Sequence, residues 1–172
     1  METPADKTLL EKILAFEPDV PGAQLPFTAR LAREQGWTHV FAGRVVEEYK
    51  RFVALAMLAG HPVTPSEQVD QAWHLHMVYT ESYWQRLCRD TLGRDLHHQP
   101  TMGGAEEGGK FTDWYGKTLV SYVRIFGSDP PTDIWPSPLD RFADAGCGRW
   151  VNTADFWLVP KPAFLKRLRK RP

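Results

Sequence analysis

The chain has 172 residues, 42% hydrophobic and 24% charged, which is enough for one domain with a sizeable hydrophobic core. Its 21 basic and 21 acidic residues cancel, so no net field draws the whole surface towards nucleic acid or anionic membrane. Two cysteines, Cys88 and Cys147, are too few for a disulfide framework, and no apolar run reaches the roughly 20 residues of a membrane span.

The two ends of the chain carry weak signals. The first residues, Met1 to Asp6, lack the basic and apolar regions of a secretory signal, so we expect a cytoplasmic protein. The last residues, 163–172, form a basic tail, which is most simply a solvated end and otherwise a weak contact for an anionic surface. We expect residues 1–172 to form a single helical domain.

Three helices are predicted in the first 60 residues. The apolar spacing from Leu9 to Phe16 indicates a short helix that ends before Pro18. A second helix is expected from about Thr28 to Glu34, closed at Gly36. A third runs from about His39 to Ala59, where apolar residues recur at three and four positions and Gly60 follows as a C-terminal cap.

A long fourth helix is predicted from Thr64 to Leu92. Thr64-Pro65-Ser66-Glu67 matches a capping box with Thr64 as the cap and proline in the first turn, and Gly93 ends the pattern. If unbroken, this helix is about 42 Å long.

The rest of the chain is expected to be less regular. A loop over residues 93–109 leads to a fifth helix from about Thr112 to Phe126. Prolines at positions 130, 131, 136 and 138 predict irregular structure, with at most a short extended segment over residues 149–159. The fold class is therefore all-α, with an irregular C-terminal third.

The fourth helix and the loop after it hold an unusual set of polar residues. Asp70 and His74 are four residues apart and face the same way, whereas His74 and His76 diverge by about 200° on a continuous helix. The six residues from Leu92 to His98 span at most roughly 20 Å when extended. His76 lies about 24 Å back from Leu92 along the helix axis, so His98 falls short of it. A complete site therefore needs a break in this helix or ligands from elsewhere, such as His39 or His61.

Two sets of candidate site residues follow. Several of these residues also have a simpler explanation. His76 is most simply a hydrogen-bonded core histidine, Asp70 and His74 a helical pair, and Cys88 a buried thiol. Imidazole and carboxylate groups also ligate divalent transition metals such as zinc. The candidate metal ligands are Asp70, His74, His76 and His98. The candidate ligand-binding residues are Trp73, Tyr83, Cys88 and His97.

The same residues carry a resemblance to a known family. The pattern is Val69-Asp70-Gln71-Ala72-Trp73-His74-Leu75-His76-Met77, followed by Thr80, Tyr83, Cys88, Gly93, His98, Pro100 and Gly103-Gly104. Over residues 64–104 it resembles the glycine-rich domain-containing protein family of plants, fungi and bacteria. The family's domain has no settled biochemical activity, so the resemblance implies no particular reaction.

Three functions are open at this point. The first is a helical domain that binds a metal or small ligand through its Asp-x-x-Trp-His-x-His helix. The second is a protein-interaction module with an aromatic groove, for which the seven tryptophans are candidates and the partner is unknown. The third is a metal-assisted hydrolase with Asp70 or Glu81 as base.

Overall fold

A computed structural model describes residues 3–99 and 105–143. Within these ranges the chain is helical and contains no strand, which confirms the all-α prediction. The elements are α1 (Pro4–Leu14), α2 (Phe27–Gln35), α3 (His39–Leu58), α4 (Glu67–Val78), the π-helix π1 (Glu81–Leu92), α5 (Ala105–Phe126) and α6 (Pro138–Ala143). The extended segment predicted over 149–159, Cys147 and the basic tail at 163–172 lie outside the described residues.

The first three helices follow the sequence prediction closely. Thr3 caps α1 in a reciprocal capping box with Asp6, so this helix begins earlier than its apolar pattern indicates. Gly36 ends α2 in the left-handed conformation, as its position predicts. Thr38 caps the start of α3, and its side chain accepts a hydrogen bond from the backbone of Phe41.

The predicted start of the fourth helix is wrong by two residues. The capping residue of α4 is Ser66, whose hydroxyl accepts a hydrogen bond from the backbone N–H of Val69. The backbone N–H of Thr64 instead donates to the hydroxyl of Thr118 in α5. Contact with a neighbouring helix therefore competes with the local capping box and displaces the cap.

The prediction of a continuous helix from Thr64 to Leu92 is also wrong, because the helix is interrupted at Tyr79. This residue has φ −82° and ψ 66°, outside the helical region, and its N–H donates to the carbonyl of His76 three residues back. The chain then re-enters a helix as π1, which ends where Gly93 donates its N–H to the carbonyl of Cys88, five residues earlier. A hydrogen bond over five residues is the defining pattern of a π-helix, which is rare and often found at functional sites.

Two other predictions need correction. Helix α5 begins at Ala105 and includes Gly108 and Gly109, for which a loop was predicted. Pro138 begins the short helix α6, where irregular structure was expected. Proline is tolerated in the first turn of a helix, and Ser137 provides the cap by accepting a hydrogen bond from Asp140.

Helix α3 is the centre of the fold. It packs against α1, α2, α4 and α5, and π1 packs against α1 and α4. The carboxylate of Glu48 in α3 is buried and accepts hydrogen bonds from Tyr122, Trp135 and Arg51. None of the helices described is both long enough and apolar enough to cross a lipid bilayer.

Candidate metal site

Helix α4 presents Asp70 and His74 on its outer side, one turn apart. The Nδ1 atom of His74 lies 3.9 Å from a carboxylate oxygen of Asp70, which is the contact that the spacing of four residues predicts. The Asp70 side chain is 22% exposed and that of His74 is 48% exposed. Both groups can therefore bind a ligand that arrives from solvent.

His98 joins this pair from the segment that follows π1. Its Nε2 atom lies 2.8 Å from the Oδ1 atom of Asp70, and its ring lies 4.5 Å from that of His74, measured between centroids. One ligand-capable atom from each of these three residues lies within 4.8 Å of the other two. A complete site requires that the predicted long helix be interrupted, and the interruption lies at Tyr79.

The site combines a solvent-facing side with an aromatic wall. The ring of Trp73 packs against His98 with 4.4 Å between centroids, and the His98 side chain is only 16% exposed. Trp73 is itself buried in the core and donates its indole N–H to the hydroxyl of Tyr83. The imidazole of His98 is therefore fixed between a buried indole and the carboxylate of Asp70.

His76, the fourth of the predicted metal ligands, is not part of this cluster. It lies on the opposite side of α4 and is fully buried, with Nδ1 2.9 Å from the Tyr49 hydroxyl and Nε2 2.9 Å from the Ser82 hydroxyl. The rings of Phe16, Phe27, Tyr49 and Tyr83 surround it. Both of its ring nitrogens already have partners, and the divergence of about 200° from His74 accounts for the separation.

Burial sets the protonation of His76. Desolvation, and to a smaller extent the positive charge of Arg86, lower the pKa of its imidazole to about 4. The imidazole is therefore neutral at pH 7, with one nitrogen donating and the other accepting a hydrogen bond. This is the chemistry of a structural core histidine.

The predicted ligand-binding residues are divided between the core and the surface. Trp73, Tyr83 and Cys88 are buried. Desolvation raises the pKa of Tyr83 to about 12 and also raises the pKa of the Cys88 thiol, so both stay protonated at pH 7. His97 is 64% exposed and lies near Asp95 and the ring of Trp84.

The backbone of Leu96 is a part of the arrangement around the site that the sequence does not reveal. The hydroxyl of Tyr83 donates a hydrogen bond to the Leu96 carbonyl. No pattern of side chains can indicate such a backbone partner.

The comparisons with known proteins confirm the predicted resemblance. A family model described as UCP032817-like matches residues 29–107, a range that contains Asp70, His74 and His98. Glycine-rich domain-containing protein 2 of Arabidopsis thaliana is 26% identical over 132 residues, which are 72% of this chain and 16% of that protein. Glycine-rich domain-containing protein 1 of the same plant is 26% identical over 110 residues, which are 61% of this chain and 13% of that protein.

These matches concern a small part of each relative. The chain spans less than a fifth of the length of either Arabidopsis protein. No solved structure matches the chain.

Proposed function

We propose that this protein binds one divalent transition-metal ion, with zinc as the first candidate, through Asp70, His74 and His98. The observation that carries the proposal is the approach of three ligand-capable atoms to within 4.8 Å of one another. Ligands at about 2.0–2.2 Å from a shared ion must lie this close together. Little rearrangement is needed for all three to reach one ion.

The types of donor support the same proposal. Two imidazoles and one carboxylate form a set that proteins use for zinc and for non-haem iron(II). Asp70 and His74 are one turn apart on α4, and His98 comes from the segment after π1. A single ion bound to all three would therefore link that segment to α4. Trp73 shields one side of His98 from water, and this favours metal coordination over solvation of the imidazole.

Zinc titration of the purified protein tests the proposal. After treatment with a chelator, calorimetry is expected to show one zinc ion bound per chain, and zinc is expected to raise the melting temperature because it binds only the folded state. His74→Ala and His98→Ala should each weaken zinc binding by at least about 100-fold, since two remaining ligands hold an ion poorly.

His97→Ala is the matched control for this experiment. It removes an exposed imidazole next to His98 in the chain but outside the three-residue cluster. Zinc affinity should stay within about twofold of the wild-type value, because His97 contributes no ligand. Equal losses in His97→Ala and His98→Ala, or no zinc binding by the wild-type protein, would contradict the proposal.

An activity that depends on the bound ion remains a prediction from the sequence. A metal-assisted hydrolase needs an open coordination position and a base, and Asp70 cannot serve as that base while it ligates the ion. Glu81, the other candidate base, is exposed at the start of π1. The aromatic groove, a protein partner and the cytoplasmic location also remain predictions.

A further inference from the structure

A side chain of π1 binds the backbone of Leu96. The buried hydroxyl of Tyr83 donates a hydrogen bond to the Leu96 carbonyl and accepts one, at 2.8 Å, from the indole N–H of Trp73. Leu96 is itself buried, so its carbonyl cannot turn to bulk water for an alternative partner.

Fixing Leu96 restricts where His98 can lie. Only one residue separates them, so the Cα atom of His98 is at most about 7 Å from that of Leu96. The ring of Trp73, which donates to the Tyr83 hydroxyl, also packs against His98 at 4.4 Å between centroids. One connected group of side chains therefore holds both the backbone before His98 and the His98 ring.

We propose that Tyr83 is a positioning residue for the metal site, and that its hydroxyl fixes Leu96 and so directs His98 towards Asp70 and His74. The zinc part of this proposal rests on the proposed function. The position of His98 in the metal-free protein does not depend on it. The two can therefore be tested separately.

The Tyr83→Phe variant tests the proposal by removing a single hydroxyl group. Loss of a partner that orients a ligand typically weakens metal affinity by about 10–100-fold, and we expect a loss of zinc affinity in this range. Tyr115→Phe is the matched control, because Tyr115 is also fully buried and its hydroxyl donates to a backbone carbonyl, that of Pro136, at 2.8 Å. Its zinc affinity should equal that of the wild type.

A second measurement does not require a metal. In the zinc-free protein, NMR should show a nuclear Overhauser effect between the rings of Trp73 and His98 in the wild type and in Tyr115→Phe, but a weak or absent one in Tyr83→Phe. If Tyr83→Phe does not fold, Trp73→Phe is measured in its place, because it removes the indole N–H that donates to the Tyr83 hydroxyl but keeps a ring beside His98. The same loss of ring contact is expected at smaller amplitude.

The outcomes separate the two proposals. If the wild type binds no zinc but only Tyr83→Phe loses the ring contact, the proposed function fails and the positioning of His98 stands. If the wild type binds zinc and folded Tyr83→Phe keeps both its affinity and its ring contact, the positioning role is overturned. Equal losses in Tyr83→Phe and Tyr115→Phe would also overturn it, since they would reflect a general loss of stability.

Discussion

The Nε2 atom of His98 lies 2.8 Å from the Oδ1 atom of Asp70, although the two residues are 28 positions apart in the chain. This contact joins α4 to the segment after π1 and completes a cluster that α4 alone cannot form. It depends on the break at Tyr79, because a straight helix would carry the segment too far from Asp70.

The first prediction concerns the carboxylate of the cluster. Asp70→Asn should weaken zinc binding by at least about tenfold while changing the free energy of unfolding by less than about 1 kcal/mol, since the asparagine side chain keeps a hydrogen-bonding oxygen at the position that contacts His98. Asp95→Asn is the control, because Asp95 is an exposed carboxylate near His97 and outside the cluster. Titration calorimetry and urea unfolding measure the two effects. A loss of several kcal/mol in Asp70→Asn would instead identify a structural ion pair.

A second prediction tests where α4 begins. Ser66→Ala should lower the free energy of unfolding by about 1 kcal/mol, because the first turn loses its cap. The hydroxyl of Thr64 is buried without a hydrogen-bond partner among the described residues, so Thr64→Val should cost less than Ser66→Ala. Urea unfolding of the two variants decides between the two caps, and the reverse order would restore Thr64 as the capping residue.

How much of the fold could be predicted depended on where local signals competed with packing. Gly36 and Gly60 mark the ends of α2 and α3 in the sequence, and both adopt a positive φ in the structure. The capping box at Thr64 is an equally clear local signal, but the Thr64 N–H donates to the hydroxyl of Thr118, which is 54 residues away in the sequence. Local patterns therefore fail at the point where a tertiary hydrogen bond competes with them.

The sequence names Asp70, His74 and His98 together with His76 as candidate ligands, but it does not predict how these residues lie relative to one another. Asp70 and His74 are paired by helical spacing, and the separation of His76 follows from the same spacing. The contact between His98 and Asp70 is not predictable from an unbroken helix, because it depends on the interruption at Tyr79. The side-chain pattern of residues 81–92 does not signal a π-helix, so the position of Tyr83 beside Leu96 is not predictable either.

The third prediction is that stability falls in mild acid because of His76. Its folded-state pKa of about 4 is below the unfolded value of about 6.5, so the unfolded chain binds more protons between these values. Stability contributed by His76 is thus complete above about pH 6.5 and is lost as the pH falls towards 4. Between pH 7 and pH 5 we expect the free energy of unfolding to fall by about 2 kcal/mol from this residue.

The variant His76→Phe checks this assignment. It removes the titrating group while keeping an aromatic ring in the same surroundings, so its unfolding free energy should lack this part of the pH dependence. His76→Asp should destabilise the protein strongly, because it leaves a carboxylate among aromatic rings. An unchanged pH slope in His76→Phe would assign the acid sensitivity to other groups.

A fourth prediction concerns the buried carboxylate of Glu48. It accepts hydrogen bonds from the Tyr122 hydroxyl and the Trp135 indole, both at 2.9 Å, as well as from Arg51. Glu48→Gln should lower the free energy of unfolding by about 2–3 kcal/mol, since an amide cannot accept from all three donors and loses the charge that strengthens these bonds. Zinc affinity should not change, and the exposed Glu11→Gln should leave both quantities unaltered. A loss below about 0.5 kcal/mol for Glu48→Gln would mean that water replaces these contacts.

X-ray absorption spectroscopy of the zinc-loaded protein tests the central claim most directly, because it reports the atoms bound to the metal. The proposal predicts only nitrogen and oxygen neighbours at about 2.0–2.2 Å, with the scattering of two imidazole rings. His98→Ala should reduce that scattering to one ring, while His97→Ala should leave the spectrum unchanged. A sulfur neighbour at about 2.3 Å, or a spectrum that is the same in His98→Ala as in the wild type, would contradict a metal site built from Asp70, His74 and His98.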